Sequence, residues 1–381
     1  LKMTSMMESG RDLPIGTMQK YGDTLWEMTI ENPETAEIAL ELDLVDMVVT
    51  REELRQWMFE KFPNEENDKN KFPDSISIYK YLSTIEDVES DSQNKIAIVN
   101  VEGTIVTGEA AYNVAGSDTI VKNIRNAIKD DSVKALVLRV NSPGGDVWAS
   151  ELITNALSEF KSSGRPIVTS MGDIAASGGV WVTTLSDEIL AKEETITGSI
   201  GVFGIIPTLD GIYEWAGIQV DGVSSTKAGE WDERLPMPEY VTQSIQASVD
   251  NIYDKFVSKV SDNRGMSYRE VLSIAGGRIW SGEKALKLGL VDKIGDLDDA
   301  IKSAASFADL DDYKIVTYSK EMDPFEKLLS ELIDNFGGKL KLSNEARVFS
   351  RIVNSQYKFI NPDKKINTAI YCFECEYFNT K

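Results

Sequence analysis

Apolar and polar positions follow two rhythms along this chain, and their order gives the fold class. Lys95-Ile96-Ala97-Ile98-Val99-Asn100-Val101 and Lys134-Ala135-Leu136-Val137-Leu138-Arg139-Val140 are near-continuous apolar runs. Runs of this kind are the pattern of strands buried on both faces. Pro166 to Met171 makes a third. Val121, Ile124, Ala127 and Ile128 fall at helical spacing between the first two runs. Ala149, Leu152, Ile153, Ala156, Leu157 and Phe160 do so after the second, with Gly164 as a C-terminal stop. Further on, Ile245, Val249, Ile252, Phe256 and Val260 mark one face of a long amphipathic helix. Strands alternating with helices predict an α/β domain with a mostly parallel sheet.

One stretch recurs. Ala39-Leu40-Glu41-Leu42-Asp43-Leu44-Val45-Asp46 reads like Ala285-Leu286-Lys287-Leu288-Gly289-Leu290-Val291-Asp292. In both, a short helical pattern runs into a Leu-Val-Asp exit. If the two close homologous units, residues 1–60 are the tail of a first repeat; a chance likeness between two helix endings is the alternative. Residues 61–92 turn polar, with Asn64-Glu65-Glu66-Asn67-Asp68-Lys69-Asn70-Lys71 reading as a solvated connector. A compact domain is expected over 93–306 and a C-terminal extension, where the periodicity weakens, over 307–381.

Composition narrows the chemistry. The 381 residues carry a net charge of −22 and no histidine. So acidic a surface repels phosphate backbones, and nucleic acid is not an expected partner. Without histidine, neither a Ser-His-Asp site nor a histidine-ligated metal can be built from this chain. Acid–base work near neutral pH falls to a carboxylate, a tuned lysine or a substrate group. No metal and no cofactor is expected. Cys372 and Cys375 could bridge locally or stay free, according to compartment. No stretch approaches the roughly 18 apolar residues of a membrane span, and no signal peptide is visible.

Two glycine-containing turns follow predicted strands. In Asn141-Ser142-Pro143-Gly144-Gly145, paired glycines let the backbone approach a ligand and aim N–H groups at an anion. No Gly-Lys-Ser/Thr follows, which disfavours a nucleotide loop; an oxyanion hole suits the same geometry, with Ser142 shaping the turn. In Asp173-Ile174-Ala175-Ala176-Ser177-Gly178-Gly179-Val180-Trp181, small residues flank one serine. They permit a tight strand-to-helix turn and leave room for a substrate beside the hydroxyl, with the Gly178 N–H adjacent.

Together these turns resemble the signature of the signal peptide peptidase A (SppA) family. Thr197-Gly198-Ser199-Ile200-Gly201-Val202 and Gly289-Leu290-Val291-Asp292 match it too. The likeness runs from about Lys95 to Ala305 and weakens on either side. It implies a ClpP/crotonase-like fold of stacked β-β-α units and a serine–lysine endopeptidase. Ser177 would be the nucleophile, and Gly145 and Gly178 would form the oxyanion hole. It also implies a homo-oligomer acting on apolar peptides, residual signal peptides among them, at the outer (periplasmic) face of the cytoplasmic membrane. Attachment to that membrane would come through an upstream segment. Trp181, Ser199 and Phe203 are the substrate-binding candidates, with Val180, Ile205 and Ile206 as further apolar pocket residues.

The general base is the open position. Doubled members of the family carry the serine in their second half and the lysine in their first, which would place the base outside this sequence. Single-half members take it from a segment here represented by Ser224-Ser225-Thr226-Lys227-Ala228-Gly229-Glu230-Trp231-Asp232. Lys227 is the in-chain candidate, although Asp232 stands nearer the usual lysine position. Lys192, beside Glu193 and Glu194, reads as a surface residue. A non-catalytic peptide-binding scaffold on the same fold is the alternative function. A crotonase-type acyl-CoA enzyme ranks lower, since no basic cluster awaits its phosphates.

Overall fold

The apolar runs form the middle of one sheet. The computed structural model describes residues 2–63, 75–82, 84, 91–109 and 114–319. Cys372, Cys375, most of the predicted connector and the rest of the predicted C-terminal extension lie outside these residues. The strands are β1 (Lys95–Glu102), β2 (Thr104–Val106), β3 (Val114–Gly116), β4 (Val133–Ser142), β5 (Ile167–Ala176), β6 (Glu188–Ala191), β7 (Ile196–Gly198), β8 (Ile279–Ser281), β9 (Lys293–Ile294) and β10 (Lys314–Tyr318). Six of them run parallel in the order β10-β1-β4-β5-β6-β9. The β7 strand adds in parallel to the end of β5, and β8 pairs antiparallel with β7. The short β2 and β3 pair with each other. This is the mostly parallel α/β architecture expected.

Alternate residues of β1 and β4 serve two cores, which is why the runs are apolar throughout. Ala97, Val99, Val101, Leu136, Leu138 and Val140 face helices Ser117–Lys129, Val147–Lys161 and Glu239–Arg264 through Ile124, Ile153, Phe160 and Phe256. Ile96, Ile98, Ala135 and Val137 face Ala300, Ile301, Ala304 and Ala305 of helix Leu297–Phe307. β10 extends the sheet at its β1 edge, so the compact unit runs to Ser319 and does not end at 306. Two of its five positions are exposed and none is fully buried, and an edge strand of mixed pattern gives little sequence signal.

Past Met171, β5 changes partner. Val140 pairs with Met171, but Ser142 pairs with Ala175, and this irregularity bends the strand end away from β6 toward β7. The displaced end carries Ala176 straight into Ser177.

The recurring stretches adopt the same local geometry. Leu44 N–H donates to Ala39 O at 2.8 Å, and Leu290 N–H donates to Ala285 O at 2.9 Å. The turn residues Asp43 and Gly289 both have positive φ, 56° and 78°. Arg11 donates to Asp43 O and forks onto both Asp46 oxygens; Arg264 donates to Gly289 O and forks onto both Asp292 oxygens. The next helix in each case opens with a capping box, Thr50 with Glu53 and Asp296 with Asp299. The likeness therefore extends from each arginine to the helix after each aspartate. No helix among the described residues is long and apolar enough to cross a membrane.

Candidate active site

Ser177 joins β5 to helix Gly178–Thr183 with φ 53° and ψ −119°. A non-glycine residue held there costs about 1–3 kcal/mol, which the surroundings must supply. They do so through both sides of its peptide. Its N–H donates to Gly198 O at 2.9 Å, and its carbonyl accepts from Val180 and Trp181 N–H at 2.8 and 3.0 Å. The half-buried hydroxyl makes no hydrogen bond among the described residues. The backbone is fixed and the hydroxyl is left free.

The Pro-Gly-Gly turn packs directly on this serine. A Cβ at Gly144 would lie 2.6 Å from Gly178 N and 2.8 Å from Ser177 Cβ. One at Gly145 would come within 2.1 Å of Ile105 O, and one at Gly178 within 2.7 Å of Ser150 Oγ. Both turns need glycine because two backbones meet there. Ser142, fully buried, braces the first turn by donating to Gly103 O at 2.6 Å and accepting from Gly144 N–H at 3.1 Å. Asn141 Oδ1 accepts from Ile174 N–H at 3.2 Å and ties the turn to the bent end of β5.

The N–H groups of Gly145 and Gly178 have no acceptor among the described residues, and both glycines border the same small cavity as Ser177. Two free donors beside an unbonded hydroxyl are what an oxyanion and its nucleophile require. The cavity, of about 10 Å³, is walled on its apolar side by Val147, Trp181, Val202 and Phe256. The structure thus brings together Ser177, Gly145, Gly178 and Trp181.

Other expected site residues stand elsewhere. Val180 is buried in the core and is not part of the cavity wall. Ser199 has φ 51°, and its N–H donates to Arg278 O at 2.6 Å. It follows the Gly198 carbonyl that holds Ser177 but does not wall the cavity. Phe203 is 83% exposed, and Ile205 and Ile206 are exposed beside it. The chain beyond Val202 leaves the core, and these three do not border the cavity.

Lys227, the in-chain candidate for the base, also stands apart from the site. It lies exposed in a short 3-10 turn, with Nζ 5.0 Å from the Tyr240 ring centroid, and it does not border the Ser177 cavity. Asp232, nearer the usual lysine position, is gripped by Arg234, which holds its carboxyl down at about 2. Lys192 is exposed, as expected. The cavity wall contains no lysine.

Reading the sequence missed the support behind Trp181. Its indole N–H donates to Glu151 Oε2 at 2.9 Å, and Lys259 Nζ approaches that oxygen at 3.1 Å. Phe256 and Lys259 lie three apart on one helix face, the only sequence signal that could have joined them.

Comparison with known proteins agrees with this geometry. Residues 159–311 match the model of Peptidase family S49. The chain is 34% identical over 329 residues to Protease 4 of Salmonella typhi, an alignment covering 86% of this chain and 52% of that protein. It is 40% identical over 263 residues to Protease 4 of Haemophilus influenzae, covering 68% and 42%. It is 34% identical over 271 residues to the putative signal peptide peptidase SppA of Enterococcus faecium, covering 69% and 78%. The chain thus spans about half the length of the Protease 4 relatives and most of the shorter one. Motifs, fold and likeness agree, and the chain belongs to the SppA group of peptidase family S49.

Proposed function

We propose that this chain is a serine endopeptidase in which Ser177 attacks the peptide carbonyl. The observation that carries the reading is the meeting of an unbonded serine hydroxyl with two free backbone donors at one small, apolar-walled cavity. In acylation, Ser177 Oγ bonds to the carbonyl carbon and its proton passes to the base. The carbonyl oxygen becomes an anion held by the Gly145 and Gly178 N–H groups, each contributing about 3 kcal/mol. The base then gives the proton to the departing amine, and water repeats the sequence on the acyl-serine.

A neutral lysine serves as that base. It reaches Ser177 from a segment other than those that wall the cavity, because none of the wall residues can do the work. The likeness of residues 11–61 to the corresponding elements around Arg264 and Asp292 supports reading them as the tail of a first repeat. The doubled architecture inferred for the family would place the lysine in such a repeat.

Apolar peptides, residual signal peptides included, are the substrates this reading favours. The apolar cavity wall supports it, as does the exposed apolar row Phe203, Ile205 and Ile206. That row is also suited to a second copy of the chain in a homo-oligomer. Placement at the outer face of the cytoplasmic membrane rests on the family resemblance.

The test is turnover of a quenched apolar peptide by the chain and by Ser177→Ala. Loss of at least about a thousandfold with unchanged circular dichroism is expected. Equal turnover by the variant would remove Ser177 from the mechanism, and peptide binding without turnover by the parent would favour the scaffold reading.

A further inference from the structure

Residues 201–255 leave the α/β unit and return without burying a single described residue, although Ile200 before them and Phe256 after them are core. The arm so formed contains helix Asp210–Trp215, the 3-10 turn Lys227–Gly229 and the first part of helix Glu239–Arg264. Its hydrogen bonds are its own. Leu209 N–H donates to Glu233 O at 2.6 Å, Trp231 Nε1 to Leu235 O at 3.0 Å and Tyr240 Oη to Lys227 O at 2.8 Å. Apart from the continuous helix, no hydrogen bond among the described residues ties 203–250 to the α/β unit. Ordering a backbone costs about 1–2 kcal/mol per residue, and a stretch that buries nothing has little to offset it. Such an arm is shaped to pack on something else.

What it offers is apolar. Phe203, Ile205, Ile212, Trp215, Ile218 and Val223 are all exposed, Trp215 at 88%. An aromatic side chain alone covers roughly 150–250 Å². The set therefore offers on the order of 1,000 Å², above an ordinary monomer's patch and near one partner's share of a stable interface.

A second apolar patch lies on the ribbon that anchors Ser177. Ile174 of β5 stands beside Ile196 of β7, and Ile279 of β8 pairs with Gly198, which adds no side chain between them. Ile196 and Ile279 are exposed. The charges beside the two patches are opposite in sign. Asp210 and Glu214 flank Ile212 on the arm. Arg278 precedes Ile279, and Lys284 lies in helix Gly282–Lys287 just after β8, where Glu283 is held by Lys287.

We propose that residues 203–223 of one copy dock on the face of Ile174, Ile196 and Ile279 of a second copy of this chain. The inference rests on the homo-oligomer reading above and is independent of the chemistry at Ser177. The two surfaces differ, so the contact is head-to-tail and repeats into a ring or a filament. It sets the neighbour against the strand whose Gly198 carbonyl holds the Ser177 N–H, so that assembly braces the turn carrying the hydroxyl. An anionic bilayer is the poorer occupant, because residues 203–223 carry Asp210, Glu214 and Asp221 and no Lys or Arg.

The test is sedimentation of the full chain carrying Ser177→Ala, which keeps proteolysis out of the measurement. That chain should sediment as more than one copy. Phe203→Asp with Ile205→Asp, or Ile279→Asp alone, should weaken association at least about a hundredfold. Far-ultraviolet circular dichroism should not change, since these positions are exposed. An equal mixture of the arm variant and the ribbon variant should give a dimer, because each keeps the surface the other has lost. If an aspartate variant fails to fold, Phe203→Cys and Ile279→Cys in a chain with Cys372→Ser and Cys375→Ser take its place. They should cross-link when mixed and not when either is alone.

A chain that stays monomeric, or an assembly unmoved by the substitutions, overturns the proposal. So does loss of assembly in the arm variant with none in the ribbon variant, which would move the arm to another surface. A monomer that floats with phosphatidylcholine vesicles through the same apolar residues would give the arm to a bilayer instead. Fluorophosphonate labelling of Ser177 in the unsubstituted chain tests the peptidase reading separately, whatever the sedimentation shows.

Discussion

The backbone N–H of Ser177 donates to the carbonyl of Gly198 at 2.9 Å, so the turn that presents the Ser177 hydroxyl is anchored on β7 as well as on its own strand. Gly198 has φ +85°, and a Cβ there would lie 2.8 Å from both Arg278 O and Trp280 Cδ1. Gly198→Ala must shift one of these groups and carry the Ser177 anchor with it. Peptide turnover should fall at least about tenfold with the fold retained, measured as kcat beside far-ultraviolet circular dichroism; misplacement of reacting groups by under an ångström is enough for such losses.

Lys227 provides a negative prediction. Its exposed ammonium rests on the Tyr240 ring and not at the cavity. Lys227→Met should leave the rate of Ser177 phosphonylation within about twofold of the parent and lower stability by no more than about 1 kcal/mol. Abolished labelling would restore Lys227 as the base.

These two cases mark what the sequence could and could not disclose. The central strands were legible because burial on both faces makes them apolar throughout, and Ser177 was legible because small residues crowd one hydroxyl after a strand. The bend in β5 was not, since it arises from the pairing of Ser142 with Ala175 rather than from any one residue. In the sequence, Phe203, Ile205 and Ile206 are simply apolar neighbours of a motif. Only tertiary structure shows that the chain has left the core by then. Glu151 and Lys259, 108 residues apart, are ordinary helix charges until the fold brings both to one indole.

Acid should weaken one defined cluster. Asp130 accepts from the Ser132 hydroxyl, the Lys95 ammonium at 2.9 Å and the Tyr318 hydroxyl at 3.1 Å, and these hold its carboxyl well below the usual carboxylate range. A lowered folded-state value means the stabilisation is complete above the unfolded value of about 4 and is lost as pH falls below it. Burial and the Asp130 charge push Tyr318 up to about 12, so its contribution is complete below about pH 10 and fades as pH rises toward 12. Urea midpoints at pH 7 and pH 3 should differ less in Asp130→Asn than in the parent, by about 1 kcal/mol.

The two arginine forks should differ in importance. The Arg264 side chain is 9% exposed where it grips Asp292, whereas that of Arg11 is 34% exposed on an Asp46 that is 80% exposed. Asp292 also accepts from Ile189 N–H at 2.8 Å and so ties the fork to β6. Arg264→Ala should cost about 2 kcal/mol, read as a lowered Tm, while Arg11→Ala should leave the main transition unmoved.

The most direct test of the central claim is fluorophosphonate labelling of the folded chain from pH 6 to pH 10, with the modified residue located by mass spectrometry. The account predicts a single phosphonyl group on Ser177, formed faster as pH rises and a lysine amine loses its proton. No label on a chain shown to be folded would place the base in the repeat whose tail is residues 1–60; a label on any other serine would contradict the account.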